Sequence, residues 1–329
     1  TQKIAGYSPC GIPFVLGGHI KSFNDLVVFP PSYFKMMKIN LKLETTATNI
    51  NTEAKTVEIQ DKTGRTETLE YDSLIIATGA KPFVPPIKGR EKEGVYTLRT
   101  IEDGERIDQA IRRSSSAVVV GAGLIGLEIG VSFIERGLKT TVVELLPHVL
   151  PAMLDKDMAE IVQKGLEKKG LRIITGHGVD EILGGEKVSG VSVAGEQIPT
   201  DFVVVATGVR GNTELAQKAG IITGETRLIK VNMRMETNVK DIYACGDCVE
   251  SICLITKRPI VSQLGTTAVR QAKVAGTNAA GGYAIFPGVI GAAVTKLFDM
   301  EIGAVGLTEF FAKRNGIETV SVTFTGKTR

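Results

Sequence analysis

The chain has 329 residues, enough for two or three domains with cores of their own. Apolar residues make up 43% and charged residues 23%, and the net charge of +3 comes without basic clusters interleaved with aromatics, so nothing marks a partner among nucleic acids or anionic membranes. Four cysteines do not make a disulfide framework at this length, and with no signal peptide visible the expected setting is a reducing cytoplasm.

The first segment of note runs from Tyr7 to Gly18 and carries Cys10 between Pro9 and Pro13. Pro9 and Gly11-Ile12 predict that Cys10 begins a short helix, whose N-terminal dipole would lower the thiol pKa. Phe14 and Val15 follow and no second cysteine comes close behind, which excludes an internal disulfide here. A lone thiolate can instead cycle through sulfenic acid or a mixed disulfide; a plain buried cysteine is the competing reading.

Next, Thr56 to Gln60, a turn at Asp61 to Gly64 and Arg65 to Tyr71 read as a hairpin. Behind it stands Asp72-Ser-Leu-Ile-Ile-Ala-Thr-Gly79. The same D-x-h-h-h-A-T-G string returns at Asp201 to Gly208, behind a second hairpin of Lys187 to Val193 and Gln197 to Thr200. Each string holds a continuous apolar run, expected of a strand buried on both faces of a parallel sheet. One copy alone is a common strand ending, whereas two, each behind a hairpin, read as duplicated units. Pro82, Pro85 and Pro86 start the exit from the first.

The window Ala117 to Ile134 is hydrophobic enough to resemble a membrane span, but Glu128 and the glycines at Gly121, Gly123, Gly126 and Gly130 argue for a tight turn instead. Gly121-Ala-Gly123-Leu124-Ile125-Gly126 is G-x-G-x-x-G directly after a strand. It opens a helix that runs to about Arg136 and stops at Gly137, ahead of a strand from Thr140 to Glu144. Gly121 permits the tight turn, Gly123 lets backbone approach a pyrophosphate, Gly126 seats the helix on the sheet, and the helix N-terminus takes the phosphates. Glu144 stands 23 residues after Gly121, where a ribose-binding acid belongs. It would repel a 2′-phosphate, and residues 145–151 bring no Arg or Lys, so NADH is favoured over NADPH.

Gly121 precedes Ala206 by 85 residues, and the same step back from Ala77 lands before residue 1. A glycine fingerprint for the first unit is therefore expected upstream of Thr1. The expected organisation is an incomplete nucleotide-binding unit at 1–101, a complete one at 102–221, a return to the first at 222–283, and the start of an interface-like unit at 284–329. The return carries a strand ending in Tyr-Ala-Cys-Gly-Asp247 and a helix from about Gly265 to Ala280. The last stretch reads as hairpins with a helix near Thr308 to Asn315. Cys245-Gly-Asp-Cys248 is formally C-x-x-C, but it coincides with a Gly-Asp strand ending, so a redox dithiol is disfavoured. No metal site is expected, His19, His148 and His177 being scattered. Cys253 reads as structural, and Asp247 on its own reads equally as a turn cap.

Five strings in order, SPCGIP, YDSLIIATGAKP, VVVGAGLIGLEIG, VVATGVRGNTELA and DIYACGDCVE, resemble the pyridine nucleotide-disulfide oxidoreductase family of FAD enzymes, and within it the single-cysteine branch. The resemblance implies an α/β fold: two Rossmann-like, three-layer domains for FAD and NAD(P), plus a partial C-terminal α+β interface domain. The unit at 1–101 and 222–283 would then be the FAD-binding domain, and 102–221 the NAD-binding domain. The resemblance also implies that Gly246 and Asp247 meet the flavin's ribityl and pyrophosphate region, and that Gly265, Thr266 and Thr267 start the helix beneath the isoalloxazine ring. Ala77, Thr78 and Gly79 would line the FAD site, Ser8 and Gly208 would lie against the cofactors, and Glu128 would sit near the nicotinamide. Cys10 would be the redox cysteine. The implied activity is hydride transfer from NADH to FAD, of NADH oxidase type, then to dioxygen or through Cys10 to a peroxide, disulfide or sulfane sulfur. Coenzyme A-disulfide or persulfide reduction is the alternative, and a homodimer is implied. A non-enzymatic NAD-binding sensor or subunit, and a reductase of a carrier protein, are the further expectations to be weighed.

Overall fold

Proline's fixed φ suits a first helical turn. In the computed structural model, which describes residues 2–326, Pro9 and Pro13 start a single 3-10 turn at Pro9–Gly11 and the five-residue α1 (Ile12–Leu16). A loop and α2 (Pro31–Met36) lead to an antiparallel sheet of β1 (Thr45–Asn51), β2 (Thr56–Asp61) and β3 (Thr66–Glu70). The expected hairpin is there, its turn closed by Asp61 Oδ1, which accepts the N–H groups of Thr63 and Arg65. The sequence reading left out β1, whose polar exposed face has little apolar pattern.

After β4 (Leu74–Ile76) and β5 (Ala80–Pro82) come β6 (Val95–Thr97) and α3 (Ile101–Ile111), whose start is set by a capping box between Thr100 and Asp103. Then β7 (Ser116–Val120), α4 (Leu124–Glu135), β8 (Lys139–Glu144), α5 (Lys156–Lys168) and β9 (Arg172–Thr175) alternate. A small sheet of β10 (Glu181–Leu183), β11 (Gly190–Val193) and β12 (Glu196–Pro199) precedes β13 (Phe202–Val205). β13 inserts between β6 and β7, giving the five-stranded parallel order β6-β13-β7-β8-β9. All four residues of β13 are buried, as its apolar run predicts.

β14 (Val209–Gly211) and α6 (Glu214–Lys218) lead to β15 (Ile242–Ala244), which pairs in parallel with β4. The expectation of burial on both faces fails for β4. Its Ile75 is 38% exposed, because among the described residues β4 and β15 form a sheet of their own that leaves this side open. The hairpin of β16 (Ser251–Ile252) and β17 (Pro259–Ile260) precedes α7 (Gly265–Ala279), and a second hairpin, β18 (Ala293–Leu297) with β19 (Met300–Ala304), precedes α8 (Glu309–Arg314). Among the described residues no helix is long and apolar enough to cross a membrane.

The duplicated strings fold onto one another. Thr78 Oγ1 donates to the Asn212 carbonyl, four residues past Gly208, and Thr207 Oγ1 donates to the Phe83 carbonyl, four residues past Gly79. The backbone repeats the exchange, with Asn212 N–H on the Gly79 carbonyl and Phe83 N–H on the Gly208 carbonyl. Between them β5 and β14 pair antiparallel. The two halves of the repeat thus cross in a ribbon with local two-fold character.

The largest of four apolar clusters among the described residues joins parts far apart in sequence: Ile12 and Leu16 of α1, Ile107 of α3, Leu127 and Phe133 of α4, Val119, Val204, and Leu297 and Ile302 of the last hairpin. The thiol-bearing segment is therefore packed against the helices of the parallel sheet. Ser132 Oγ donates to the Pro13 carbonyl at 2.8 Å, which also accepts the Gly17 N–H, and Arg136 Nη1 donates at 2.9 Å to the Leu16 carbonyl at the end of α1.

Asp201, the first residue of the second string, explains part of the string's chemistry. Its Oδ2 accepts the N–H groups of Ser115 and Ser116 and the hydroxyls of both, tying β13 to the start of β7. These bonds, the Ser115 N–H first, hold its carboxyl below the usual carboxylate range. A lowered folded pKa means stability present above the unfolded pKa and lost as pH falls through the folded one. Asp201→Ala should lower the unfolding free energy by about 1 kcal/mol at neutral pH, partial exposure keeping it at the low end. Urea denaturation should show that gap closing below about pH 4, where the wild-type carboxyl takes up its proton.

Candidate active site

The glycine loop is built as its spacing requires. Gly121 has φ +108, and a Cβ there would lie 2.5 Å from the Ala206 carbonyl oxygen. A Cβ on Gly126 would lie 2.0 Å from the carbonyl oxygen of Gly121, so only glycine lets α4 start so close to the loop. Gly123 is the N-cap and offers no side-chain acceptor, which leaves the first-turn N–H groups, from Leu124 and the exposed Ile125 onward, to an anion. Glu144 is 8% exposed at the end of β8. Its Oε2 accepts the Ala122 N–H and its Oε1 the Leu146 N–H, so the acid pins the loop while each oxygen keeps a lone pair for a ribose hydroxyl.

Around Cys10 four elements meet. The sulfur lies 4.0 Å from where a Cβ on Gly265, the first residue of α7, would be. Leu264 caps α7 without a side-chain acceptor, and Gly265 and Thr266 are exposed, so this fifteen-residue helix presents free N–H groups beside the thiol. Thr267 instead is buried, with its hydroxyl 3.0 Å from Ser262 Oγ. Gly246, at φ +82, donates its N–H to Gln271 Oε1, which aims Asp247 back at the site. The Asp247 carboxylate meets Arg99 Nη2 at 2.6 Å. On the fourth side Glu128 of α4 accepts a 2.7 Å hydrogen bond from Thr295 Oγ1 of β18. Burial raises the Glu128 pKa, and the Thr295 hydroxyl works against that rise.

The dipole argument for Cys10 is corrected by this geometry. The 3-10 turn and α1 are too short to bring much dipole, and although Cys10 is exposed, the desolvation its sulfur does undergo raises the thiol pKa. Glu128, next in importance, pushes it the same way; Arg99 opposes, and Asp247 adds a smaller rise. The other thiols are buried, and burial pushes Cys245 up to about 11. Among the described residues no group of three or more His, Cys, Asp or Glu is arranged to hold a metal ion.

Sequence-named residues therefore fall into two groups. Cys10, Glu128, Asp247 and Gly265 converge, and Ser8 holds the thiol turn through its carbonyl and the Gly11 N–H. Thr78 instead spends its hydroxyl on the ribbon, exposed Gly208 contributes its carbonyl to Phe83 and Ala77 is exposed, while Gly79, at φ +65, lies beside the site, a Cβ on it falling 3.5 Å from Arg99 Nη2. Arg99 and Thr295 were missed. No motif marks an arginine before a capped helix or a threonine in a hairpin; only the topology brings them to the thiol.

A flavin's ribityl and isoalloxazine half needs polar partners of both signs and backbone donors. The free α7 N-terminus, the Asp247–Arg99 pair and the Gly246 turn supply that donor set, so the residues present fit this half of FAD. A dinucleotide loop, a lone thiol and a polar helix start gathered beside the half-buried Glu128 carboxylate define a nicotinamide-dependent redox protein. The chain belongs to the pyridine nucleotide-disulphide oxidoreductase family, which it matches over residues 15–279. It is 46% identical over 322 residues to an NADH oxidase of Methanocaldococcus jannaschii, covering 97% of this chain and 72% of that protein. It is 34% identical to a CoA-dependent NAD(P)H sulfur oxidoreductase of Pyrococcus furiosus, covering 95% of this chain and 70% of the relative. Among solved structures, an NAD-dependent persulfide reductase from A. fulgidus superposes with a TM-score of 0.93 at 41% identity, covering 96% of this chain and 60% of that one. The chain thus spans less than two thirds of that last relative. These relatives carry the names of enzymes, and the α/β fold and the FAD and NADH pair expected from the sequence are those of the family. The non-catalytic sensor is set aside.

Two outcomes follow from the geometry. Gly126→Val should weaken NADH binding at least about tenfold, about 1.4 kcal/mol, in a calorimetric titration, with the far-UV circular dichroism unchanged. Arg99→Ala removes the cation that favours the Cys10 thiolate and frees the Asp247 charge. The pH midpoint for iodoacetamide alkylation of the Cys10 peptide, followed by mass spectrometry, should move upward.

Proposed function

We propose that the chain is the catalytic part of an FAD-dependent NADH oxidoreductase of NADH oxidase type whose electrons leave through Cys10 to a small sulfur acceptor or a peroxide. The observation that carries this reading is the position of the Cys10 sulfur against the start of α7, where the charges of the Asp247–Arg99 pair and of Glu128 on the glycine-loop helix act on it. The names of the M. jannaschii and P. furiosus relatives support the same class.

In this reading the N-terminus of α4, with Gly121, Gly123 and Gly126, holds the pyrophosphate of NADH, and Glu144 holds the adenosine ribose. Glu128 orients the nicotinamide. Gly246, Asp247, Arg99 and the α7 start at Gly265, Thr266 and Thr267 hold the flavin half of FAD, with Ala77 to Gly79 alongside. FAD, when bound, would supply the hydride acceptor and the source of the electron pair for the Cys10 sulfur. Cys10 does the chain's own chemistry: its thiolate attacks one sulfur of a disulfide R–S–S–R, forming Cys10–S–S–R and expelling RS⁻. Two electrons originating in NADH then cleave the mixed disulfide, restoring Cys10 and releasing the second thiolate. The sum is NADH plus disulfide plus a proton giving NAD⁺ and two thiols. Because the thiol pKa is raised, the thiolate share grows with pH, and turnover by this route should climb from neutral into mildly alkaline solution.

Direct reduction of dioxygen is the second reading, favoured by the relative named NADH oxidase. Persulfide and sulfur are the acceptors favoured by the names of the sulfur-reductase relatives, one of them CoA-dependent, and coenzyme A-disulfide is proposed beside them. A homodimer in a cytoplasmic setting belongs to the same proposal. Exposed Val294, Val305 and Phe310 on the last hairpin and α8 support a covered C-terminal face. The domain division proposed is 1–101 with 222–283 for FAD, 102–221 for NAD, and 284–329 for the interface.

Cys10→Ser decides between the acceptors. It should abolish NADH-dependent reduction of coenzyme A disulfide while leaving a hydrogen peroxide-producing NADH oxidation under air, both followed by loss of NADH absorbance. Full disulfide turnover in that variant would overturn the role given to Cys10, and a purified protein without flavin absorbance would overturn the flavoenzyme reading.

A further inference from the structure

Thr295 lies outside the stretch 15–279 that matches the family, and it belongs to the hairpin that follows the expected cofactor units. It is 5% exposed, on a strand whose neighbours Val294 and Lys296 face outward while Leu297 turns into the core. A buried hydroxyl needs a partner, and the one it has is the Glu128 Oε1 at 2.7 Å. Glu128 in turn stands between fully buried Leu127 and Ile129 on a helix whose other polar groups are used elsewhere. Ser132 bonds the Pro13 and Glu128 carbonyls, Glu135 pairs with His19, and Arg136 bonds the Leu16 carbonyl and Asp108. The carboxylate can therefore be held in place from β18, by a residue more than a hundred and sixty positions away.

We propose that Thr295 is a positioning residue of the thiol site: its hydroxyl fixes the Glu128 carboxylate, whose charge acts on the Cys10 sulfur, so the C-terminal hairpin sets the charge which that sulfur meets. The consequence for turnover rests on the Cys10 reading above, but the positioning itself does not. The charged groups that face the sulfur are Glu128 from α4, Arg99 from the segment between β6 and α3, and Asp247 from the loop after β15. Arg99 and Asp247 are paired to each other, which leaves Glu128 as the charge governed from the hairpin. Burial favours its neutral form and the Thr295 bond favours its charged form, so removing the hydroxyl must extend the neutral form to higher pH.

The test reads the sulfur rather than catalysis. In the purified full chain, the rate of iodoacetamide alkylation at Cys10, resolved by mass spectrometry, should show an inflection on the acid side of the thiol midpoint where Glu128 ionises and begins to oppose the thiolate. Glu128→Gln should abolish the inflection. Thr295→Val, which loses the hydroxyl and keeps the shape, should move it to higher pH, and Thr295→Ser should return it to its wild-type place. A merely structural role would change thermal stability and leave the inflection where it was. An unmoved inflection in Thr295→Val, or one that survives Glu128→Gln, overturns the proposal. Should the valine variant fail to fold, Thr295→Ala and the Glu128→Gln profile decide in the same way. Because neither NADH nor a disulfide is used, a failure here is distinct from a failure of Cys10→Ser to lose disulfide reduction.

Discussion

With a Cβ on Gly126 only 2.0 Å from the Gly121 carbonyl oxygen, α4 can approach the parallel sheet at its observed depth because that atom is missing. Much of the site hangs from that approach. One end of α4 offers phosphate-binding N–H groups, its flank carries Ser132 and Arg136 to the carbonyls of α1, and its second turn carries Glu128 to the wall beside Cys10. A helix held farther out would misplace all three together. The dinucleotide loop and the thiol are thus two ends of one rigid lever, although the chain separates them by more than a hundred residues.

The ribbon of β5 and β14 supplies the complementary constraint. Each A-T-G string ends a strand and then crosses to the other half, where a threonine hydroxyl and a backbone N–H close the exchange. This explains why threonine serves in both copies: its hydroxyl donates to a carbonyl four residues beyond the opposite glycine. The strings have a structural reason to be alike that is separate from cofactor contact: the Thr78 hydroxyl is a rivet of the crossing. Asp201 shows the same economy, since the acid that opens the second string ties its strand to β7, the strand that leads into the glycine loop.

What could be read from residues alone was local and periodic. The strand–loop–helix of Val118 to Glu135, the terminal acid Glu144, both hairpins and the helix from Gly265 follow from hydrophobic period, glycine spacing and turn chemistry, all of which act over a few residues. The polarity of Cys10 could not be read that way. A dipole rule applied to Pro9–Gly11 pointed to a lowered pKa, but the sulfur's state depends first on its desolvation and then on Glu128, Arg99 and Asp247, which act on it from three other elements. Burial of β4 failed for a related reason: an apolar triplet records the propensity of a strand, while the cover of Ile75 depends on what packs over the face it points to. Arg99 and Thr295 lie beyond any spacing rule, since their partners are set by topology.

The electrostatics at the sulfur then have a physical reading of their own. A lone nucleophilic thiol that were always ionised would be open to oxidation at any time, since the thiolate is the form that climbs towards sulfenic acid. Here burial and Glu128 hold the proton on, while the opposing cation, Arg99, is half-engaged by Asp247. A higher thiol pKa also goes with greater intrinsic nucleophilicity once the proton leaves. The arrangement therefore exchanges readiness for reactivity: fewer thiolates at neutral pH, each a stronger nucleophile. The balance is adjustable from any of three elements without touching the sulfur, because the charges that set it sit on α4, beside α3 and after β15, and the first is held from the C-terminal hairpin.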